Sequence, residues 1–210
     1  MIKKHWKLLV ITSVLTLLPI LAGLVLWGQL PEKMPTHWNA AGEIDGWSSK
    51  AFAVFGLPGI MLAVQWLCVL GTNADPKRAN HPEKVLQLVL WIIPVLSIVM
   101  HTMTYAAALG KTVPMGEAVT LVCGVTFVIV GNYMPKCKQN YTIGIKIPWT
   151  LNSEVNWNKT HRFAGWLWTV CGLMIILSAF VGGFWLFLPA VIVMVAAPMI
   201  YSYMLFKKGE

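Results

Sequence analysis

Two stretches of this 210-residue sequence contain most of the side chains that could bind or react. In the first stretch an imidazole, an indole, an amide and two carboxylates occur within nine residues, from His37 to Asp45. Such groups recognise ligands through hydrogen bonds and ion pairs, and the imidazole and carboxylates also suit metals. Because the possible ligands lack a defined metal-binding spacing, we predict ligand recognition here and no metal. The alternative is that Trp38 and Trp47 belong to the aromatic belt of a membrane protein and the polar groups cap helices.

Prolines and glycines give the first stretch a defined backbone. Pro31 and Pro35 fix φ and stiffen the chain, whereas Gly42 and Gly46 permit positive φ, so residues 43–45 are expected to fold back tightly. The predicted ligand-binding residues of this stretch are His37, Trp38, Asn39, Gly42, Glu43, Asp45 and Lys50.

The second stretch covers residues 133–162. Apolar and polar residues alternate over residues 141–147, which predicts a short extended segment with one apolar face that ends at Pro148. Residues able to cap a helix follow, up to Ser153, so residues 154–162 are predicted to form a short interfacial helix. The residues predicted to contact a partner are Asn132, Asn140, Gly144, Lys146, Pro148, Trp149, Thr150, Trp157, His161 and Arg162. Membrane anchoring by the tryptophans and basic residues is the alternative.

Three polar residues stand inside long apolar segments. His101 and Glu117 are candidates for function, because ionisable groups within a membrane are costly, although packing is the simpler explanation for a single His. Gln65 is uncharged and is expected to make a hydrogen bond between helices. The polar loop 72–84 has no distinctive pattern.

Composition defines the elements that must position these residues. Apolar residues make up 57% of the chain, charged residues only 11%, and the mean hydropathy is +0.67. A soluble domain carries about 25% charged residues, so this composition excludes a soluble globular protein and a cytosolic enzyme. We predict an all-α integral membrane protein, a single polytopic domain with six transmembrane helices. The predicted spans are residues 8–28, 51–71, 85–109, 115–132, 163–181 and 184–206. Gly182-Gly183 separates the last two, which should form a tight helical hairpin.

The distribution of basic residues predicts the orientation. The net charge is +8, and thirteen of the sixteen Lys and Arg residues fall on the side of the termini. The other side has only Lys33, Lys50 and Lys111. Because basic residues accumulate in cytoplasmic loops, both termini are predicted to be cytoplasmic. Loop 29–50 is then the outer loop and loop 133–162 the inner loop, and the basic charge does not indicate nucleic-acid binding. The four cysteines have no metal or disulfide spacing.

At both loops the sequence resembles the SdpI-type bacteriocin immunity proteins of bacterial plasma membranes. The matching outer residues are Pro31, Pro35-Thr36-His37-Trp38-Asn39-Ala40-Ala41-Gly42-Glu43, Asp45-Gly46 and Ser49-Lys50. The matching inner residues are Gly131-Asn132, Asn140, Gly144-Ile145-Lys146, Pro148-Trp149-Thr150-Leu151, Trp157 and Thr160-His161-Arg162. One departure is Lys146-Ile147, where the family more often has Arg-Thr. Lys supplies a point charge there but not the bidentate fork of Arg.

The resemblance implies a non-catalytic, multi-pass plasma membrane protein that protects against a secreted antimicrobial peptide toxin. It further implies a receptor that holds a cytoplasmic transcriptional repressor at the membrane. Two other classes stay open from the residues alone. A transporter or lipid-handling protein would need inverted repeats, and none is evident. A metal-dependent membrane enzyme would need a compact ligand motif or a nucleophile with its base, and neither is evident, so no enzyme and no cofactor are predicted.

Overall fold

The computed structural model describes residues 2–39, 41–181 and 184–210. Its main elements in chain order are α1 (Ile2–Val25), β1 (Lys33–Trp38), β2 (Ile44–Ser49), α2 (Leu57–Ala74), α3 (Glu83–Ala108), α4 (Met115–Tyr133), α5 (Pro148–Asn152), α6 (Glu154–Ala179) and α7 (Phe187–Lys207). A π-helical turn, Phe52–Gly56, leads into α2, and short 3₁₀ turns cover Arg78–Asn80, Met134–Lys136 and Phe184–Leu186. Among the described residues six helices, all except α5, are long and apolar enough to cross a membrane, which confirms the predicted number.

The chain divides into two compact units. The first contains residues 1–73 and 87–116, and the second contains residues 74–86 and 117–210. Helix α3 starts in the second unit and continues into the first. The predicted break at Gly182-Gly183 lies outside the described residues.

Buried polar side chains join the helices of the first unit. Gln65 on α2 donates to the Thr12 hydroxyl (2.8 Å) and accepts from the Thr16 hydroxyl (2.7 Å), both on α1. Ser97 on α3 donates to the carbonyl of Thr16 (2.8 Å). Within apolar surroundings such bonds favour one packing arrangement, because a shifted helix would leave polar groups unpaired. The interhelical hydrogen bond predicted for Gln65 is confirmed.

Loop 29–50 is folded into an antiparallel hairpin that the all-α prediction omitted. Lys33 pairs with Ser49 and Trp38 pairs with Ile44, with irregularities in between. The reversal comes at residues 39–43, earlier than the predicted 43–45, and Gly42 has the positive φ (+80°) expected of it. Gly46 differs from the prediction, since its φ is not positive. It lies against the Cα and Cβ atoms of His37, and an added Cβ would come within 2.6 Å of the His37 Cβ.

Loop 133–162 departs from the prediction at two points. The predicted extended segment 141–147 is wrong for residues 141–144, which bend. The Asn140 side-chain oxygen accepts from the backbone N–H groups of Thr142 (2.9 Å) and Ile143 (2.7 Å), and these bonds curl the chain. The predicted short helix 154–162 is the beginning of the continuous helix α6. Ser153 caps α6 as expected, accepting from the Asn156 N–H (3.2 Å).

Candidate functional site

The hairpin is held to the end of α1 by a buried lysine. The Lys50 ammonium donates to the carbonyls of Leu30 (2.9 Å) and Trp27 (3.2 Å) and pairs with Glu32 (2.9 Å). Carbonyls that follow the last turn of a helix lack helical donors, so the ammonium satisfies them. Met34 of β1 is fully buried in the same region. Lys50, predicted to bind a ligand, is occupied by these contacts.

Asn39 and Glu43 shape the hairpin turn. The Asn39 side-chain oxygen accepts from the N–H groups of Ala41 (2.9 Å) and Glu43 (3.0 Å). Its amide nitrogen donates to the Glu43 carboxylate (3.1 Å). Two of the predicted binding residues therefore maintain the turn, since these local bonds replace ladder hydrogen bonds where the strands separate.

One face of the hairpin presents polar and aromatic side chains to the surroundings. His37 Nδ1 lies 2.5 Å from Asp45 Oδ1, and the two side chains are 70% and 43% exposed. Trp47 is also exposed (57%) and lies two residues after Asp45 in β2, hence on the same face. Trp38 is half-buried. We call His37, Asp45 and Trp47 the hairpin face.

Trp47 is the member of the hairpin face that the sequence prediction missed. Its position two residues after Asp45 would have revealed it, had residues 44–49 been predicted as a strand. Glu43 contacts Asn39 and not the His37–Asp45 pair. Within the described ranges no group of three or more His, Cys, Asp or Glu side chains is arranged to hold a metal ion.

His101 and Glu117, the two candidates predicted inside the membrane, belong to different units of the chain. His101 is buried in the first unit, where its Nδ1–H donates to the Ser97 carbonyl (2.7 Å) and its ring meets Tyr105 at 5.9 Å. The Tyr105 hydroxyl donates to the Pro19 carbonyl (3.0 Å). Glu117 is exposed in the first turn of α4 in the second unit. His101 Nε2 is buried and has no hydrogen-bond partner among the described residues.

In the second unit, a buried acid–base pair joins loop 72–84 to loop 133–162. The Asp75 carboxylate accepts from the Tyr141 N–H (2.9 Å), the Thr142 hydroxyl (2.8 Å), the Lys77 N–H (2.7 Å) and His81 Nε2 (3.1 Å). Burial by itself would raise the pKa of Asp75, but these hydrogen bonds outweigh it and leave the pKa below its usual value. The sequence prediction found no pattern in loop 72–84 and missed this pair.

Three predicted partner residues of loop 133–162 lie against one another, with Trp157 and His161 buried and Gly144 exposed. His161 stacks on Trp157 (4.0 Å between ring centroids) and accepts from the Ile145 N–H through Nε2 (3.0 Å). Gly144 has φ +116°, and an added Cβ would lie 2.4 Å from His161 Nε2. The Trp157 indole donates to the Cys137 carbonyl (2.7 Å). Gly144, Trp157 and His161 therefore form part of the scaffold of this loop.

The other predicted partner residues divide into buried and exposed groups. Asn140 and Thr150 are buried, and the Thr150 hydroxyl donates to the Ile145 carbonyl (2.7 Å). Trp149 is half-buried and packs on Tyr203 at 5.0 Å. The exposed members are Asn132, Lys146, Pro148 and Arg162.

Comparison with known proteins gives two family matches, one around each loop. Residues 136–202 match the SdpI/YfhL protein family, and residues 14–62, which include the hairpin, match a domain of unknown function (DUF1648). Over 202 residues the chain is 29% identical to Immunity protein SdpI of Bacillus subtilis (strain 168), covering 95% of this chain and 96% of that protein. No solved structure matches significantly. The chain, with six long apolar helices and two structured loops, is thus similar over almost its whole length to Immunity protein SdpI, and this confirms the resemblance predicted from its loop motifs.

Proposed function

We propose that this protein is a non-catalytic immunity protein of a bacterial plasma membrane that protects the cell from a secreted antimicrobial peptide. The observation that carries the proposal is the similarity to Immunity protein SdpI over 95% of the chain. That similarity spans both the hairpin and loop 133–162, so it is not confined to the apolar helices, whose composition unrelated membrane proteins also share.

The hairpin face is the proposed contact surface for the peptide. Its three side chains combine an aromatic surface with a hydrogen-bonded His–Asp pair, and the anchoring is left to Lys50. Aromatic residues with adjacent polar groups are typical of recognition surfaces. The thirteen-to-three distribution of Lys and Arg supports an orientation with the hairpin outside the cell, where a secreted peptide arrives.

A survival assay tests this proposal. The protein is expressed in Bacillus subtilis cells that lack Immunity protein SdpI, and the cells are exposed to the toxin against which that protein acts. We expect survival to be restored, and to be lost in the variant in which His37, Asp45 and Trp47 are all replaced by Ala. Trp166→Ala, an exposed Trp of α6 (65%), is the matched control and should protect fully. Failure to protect against this toxin and against a panel of other secreted peptides would contradict the immunity function.

We further propose that loop 133–162 binds a cytoplasmic protein, which the family resemblance suggests is a transcriptional repressor. The supporting observation is that Asp75, Trp157 and His161 fix the loop backbone while Lys146, Pro148 and Arg162 remain exposed. Arg162→Ala should leave protection and protein level unchanged while membrane recruitment of a co-expressed repressor falls. Unchanged recruitment in Arg162→Ala and Lys146→Ala would argue against this second role.

A further inference from the structure

A polar cavity of about 430 Å³ lies in the second unit, between the end of α4 and the start of α6. Its lining residues are Asn80, Lys138, Gln139, Glu154 and Asn158. The volume is in the range of small-molecule sites, and the lining is polar where such sites are usually apolar. An occupant must therefore supply polar or charged groups.

The back wall of the cavity is fixed by hydrogen bonds. Asn80 donates to the Gln139 carbonyl (2.8 Å), and the Gln139 amide donates to the carbonyls of Thr150 and Leu151 (2.9 Å each). The Lys77 ammonium donates to the Gln139 side-chain oxygen. Because Gln139 is fully used by these bonds, the wall keeps its shape without an occupant.

The remaining lining side chains point to an occupant with both signs of charge. Lys138 supplies a cation, Glu154 an anion and Asn158 an amide, and all three residues are exposed. In the described part of the chain the side chains of these three residues make no hydrogen bond or ion pair. A purely anionic ligand would be repelled by Glu154 and a purely cationic one by Lys138.

The cavity lies at the level of the lipid headgroups, which are therefore a source of such a ligand. Helix α6 has 26 residues and is about 39 Å long, which exceeds the hydrocarbon core by about 9 Å. Its polar residues gather at the N-terminal end, so the first turns, with Glu154 and Asn158, extend into the headgroup layer. Lys138 is two residues after the end of the spanning segment Met115–Lys136 and so leaves the membrane at the same face.

We propose that this cavity binds the headgroup of a zwitterionic phospholipid that has a primary ammonium, namely phosphatidylethanolamine. Lys138 takes the phosphate, Glu154 takes the ammonium, and Asn158 adds a hydrogen bond. Phosphatidylcholine offers the same charges, but its quaternary ammonium has no N–H to donate to Glu154. Phosphatidylglycerol has no cation at all. This lipid site is separate from toxin recognition, and toxin survival does not depend on it.

Native mass spectrometry of the purified full-length protein tests the proposal. The detergent-solubilised protein is offered equal amounts of phosphatidylethanolamine, phosphatidylcholine and phosphatidylglycerol with identical acyl chains. We expect about fivefold greater retention of phosphatidylethanolamine than of phosphatidylcholine, since one exposed hydrogen-bonded ion pair distinguishes the two. Glu154→Leu, which removes both the charge and the acceptor oxygen, should abolish this preference. Lys138→Gln should lower retention of both lipids about equally, and Lys208→Gln, an exposed Lys outside the cavity, should behave as wild type.

Two results would overturn the proposal: equal retention of the three lipids by the wild-type protein, or a preference that survives Glu154→Leu. Thermal unfolding of each variant shows whether the fold is intact, and both substituted residues are exposed, so folding is expected. The same phosphate and ammonium groups could come from a lipid headgroup or from a soluble zwitterion, and competition with soluble phosphoethanolamine distinguishes these two sources. If it displaces the bound lipid at millimolar concentration and binds protein embedded in phosphatidylcholine nanodiscs, the natural ligand is a soluble zwitterion and the lipid assignment is wrong.

Discussion

His81 donates through Nε2 to the carboxylate of Asp75 across 3.1 Å, and the two side chains are 1% and 0% exposed. Their partners in loop 133–162, Tyr141 and Thr142, are more than sixty positions further along the chain. The pair therefore connects the two ends of a long stretch of sequence that includes α3 and α4. The shape of loop 133–162 depends on a carboxylate in a loop that lies outside it.

Replacing Asp75 by Asn should destabilise the protein. Asn keeps one acceptor oxygen, and its NH2 group faces the donors at the other position, either the Lys77 N–H or the Tyr141 N–H and Thr142 hydroxyl, so at least one buried donor loses its acceptor. We expect the free energy of unfolding to fall by about 1–3 kcal/mol, measured by denaturant titration in detergent. Glu117→Gln removes the same charge from an exposed position and should change the free energy by less than about 0.5 kcal/mol. Equal effects of the two substitutions would show that Asp75 has no special structural role.

Asp75 should also make stability depend on acidity. Its hydrogen bonds hold the folded-state pKa below that of the unfolded chain, which is about 3.9. The carboxylate therefore contributes full stability above the unfolded-state pKa, and this contribution is lost as the pH falls through the folded-state pKa. We expect wild-type stability to fall more steeply than that of Asp75→Asn between pH 5 and pH 3. Parallel pH profiles would contradict this.

Gly144→Ala should be strongly destabilising. The φ of +116° disfavours any side chain, and the new Cβ would press on His161 Nε2, which accepts from the Ile145 N–H. We expect the free energy of unfolding, measured by denaturant titration in detergent, to fall by about 1–3 kcal/mol from the backbone conformation alone. Gly71→Ala is the control, because Gly71 lies in α2 with open space around it and Ala favours a helix by up to about 1 kcal/mol. If Gly71→Ala lowered the free energy of unfolding as much as Gly144→Ala, the effect would be a general intolerance of added methyl groups and not a property of position 144.

Lys50→Met should loosen the hairpin without unfolding the helices. The carbonyls of Leu30 and Trp27 lose their donor, and Glu32 loses its ion-pair partner. The two lost hydrogen bonds to a charged group contribute about 1.5–3 kcal/mol each, so hydrogen exchange in residues 33–49 should accelerate by about two to four orders of magnitude. Lys33→Met removes an exposed charge from β1 and should leave exchange unchanged. Equal protection in both variants would mean that Lys50 does not anchor the hairpin.

Single cysteines test the predicted orientation. In intact cells a membrane-impermeant thiol reagent should label Ser49→Cys and not Lys146→Cys, both at exposed positions. Cys68, Cys123 and Cys171 are removed first. Cys137 can remain, since its burial raises the pKa of the thiol to about 11 and keeps it protonated and slow to react. Labelling of residue 146 alone would reverse the assignment of the two loops.

The sequence was sufficient for features that depend on local composition. Apolar length identified six helices, and the cap at Ser153 was recognised because it needs only residues within one turn. The hairpin was missed because its strands are six residues each, one contains Pro35, and their pairing is irregular. The alternation of apolar and polar residues over 141–147 predicted an extended segment, and this was wrong for residues 141–144 because the Asn140 side chain provides competing hydrogen bonds. The Asp75–His81 pair gave no signal, since its partners are distant in sequence.

The hairpin separates residues that maintain its shape from residues that face outward. Lys50, Asn39 and Gly46 maintain the shape, whereas the side chains of His37 and Asp45 bond only to each other among the described residues. A combinatorial library restricted to positions 37, 45 and 47 would therefore vary the surface on a constant framework, much as antibody loops vary on a conserved scaffold. Under the proposed contact between the hairpin face and a toxin, selection of such a library for growth in the presence of a different bacteriocin should yield variants directed to a new target without redesign of the helices.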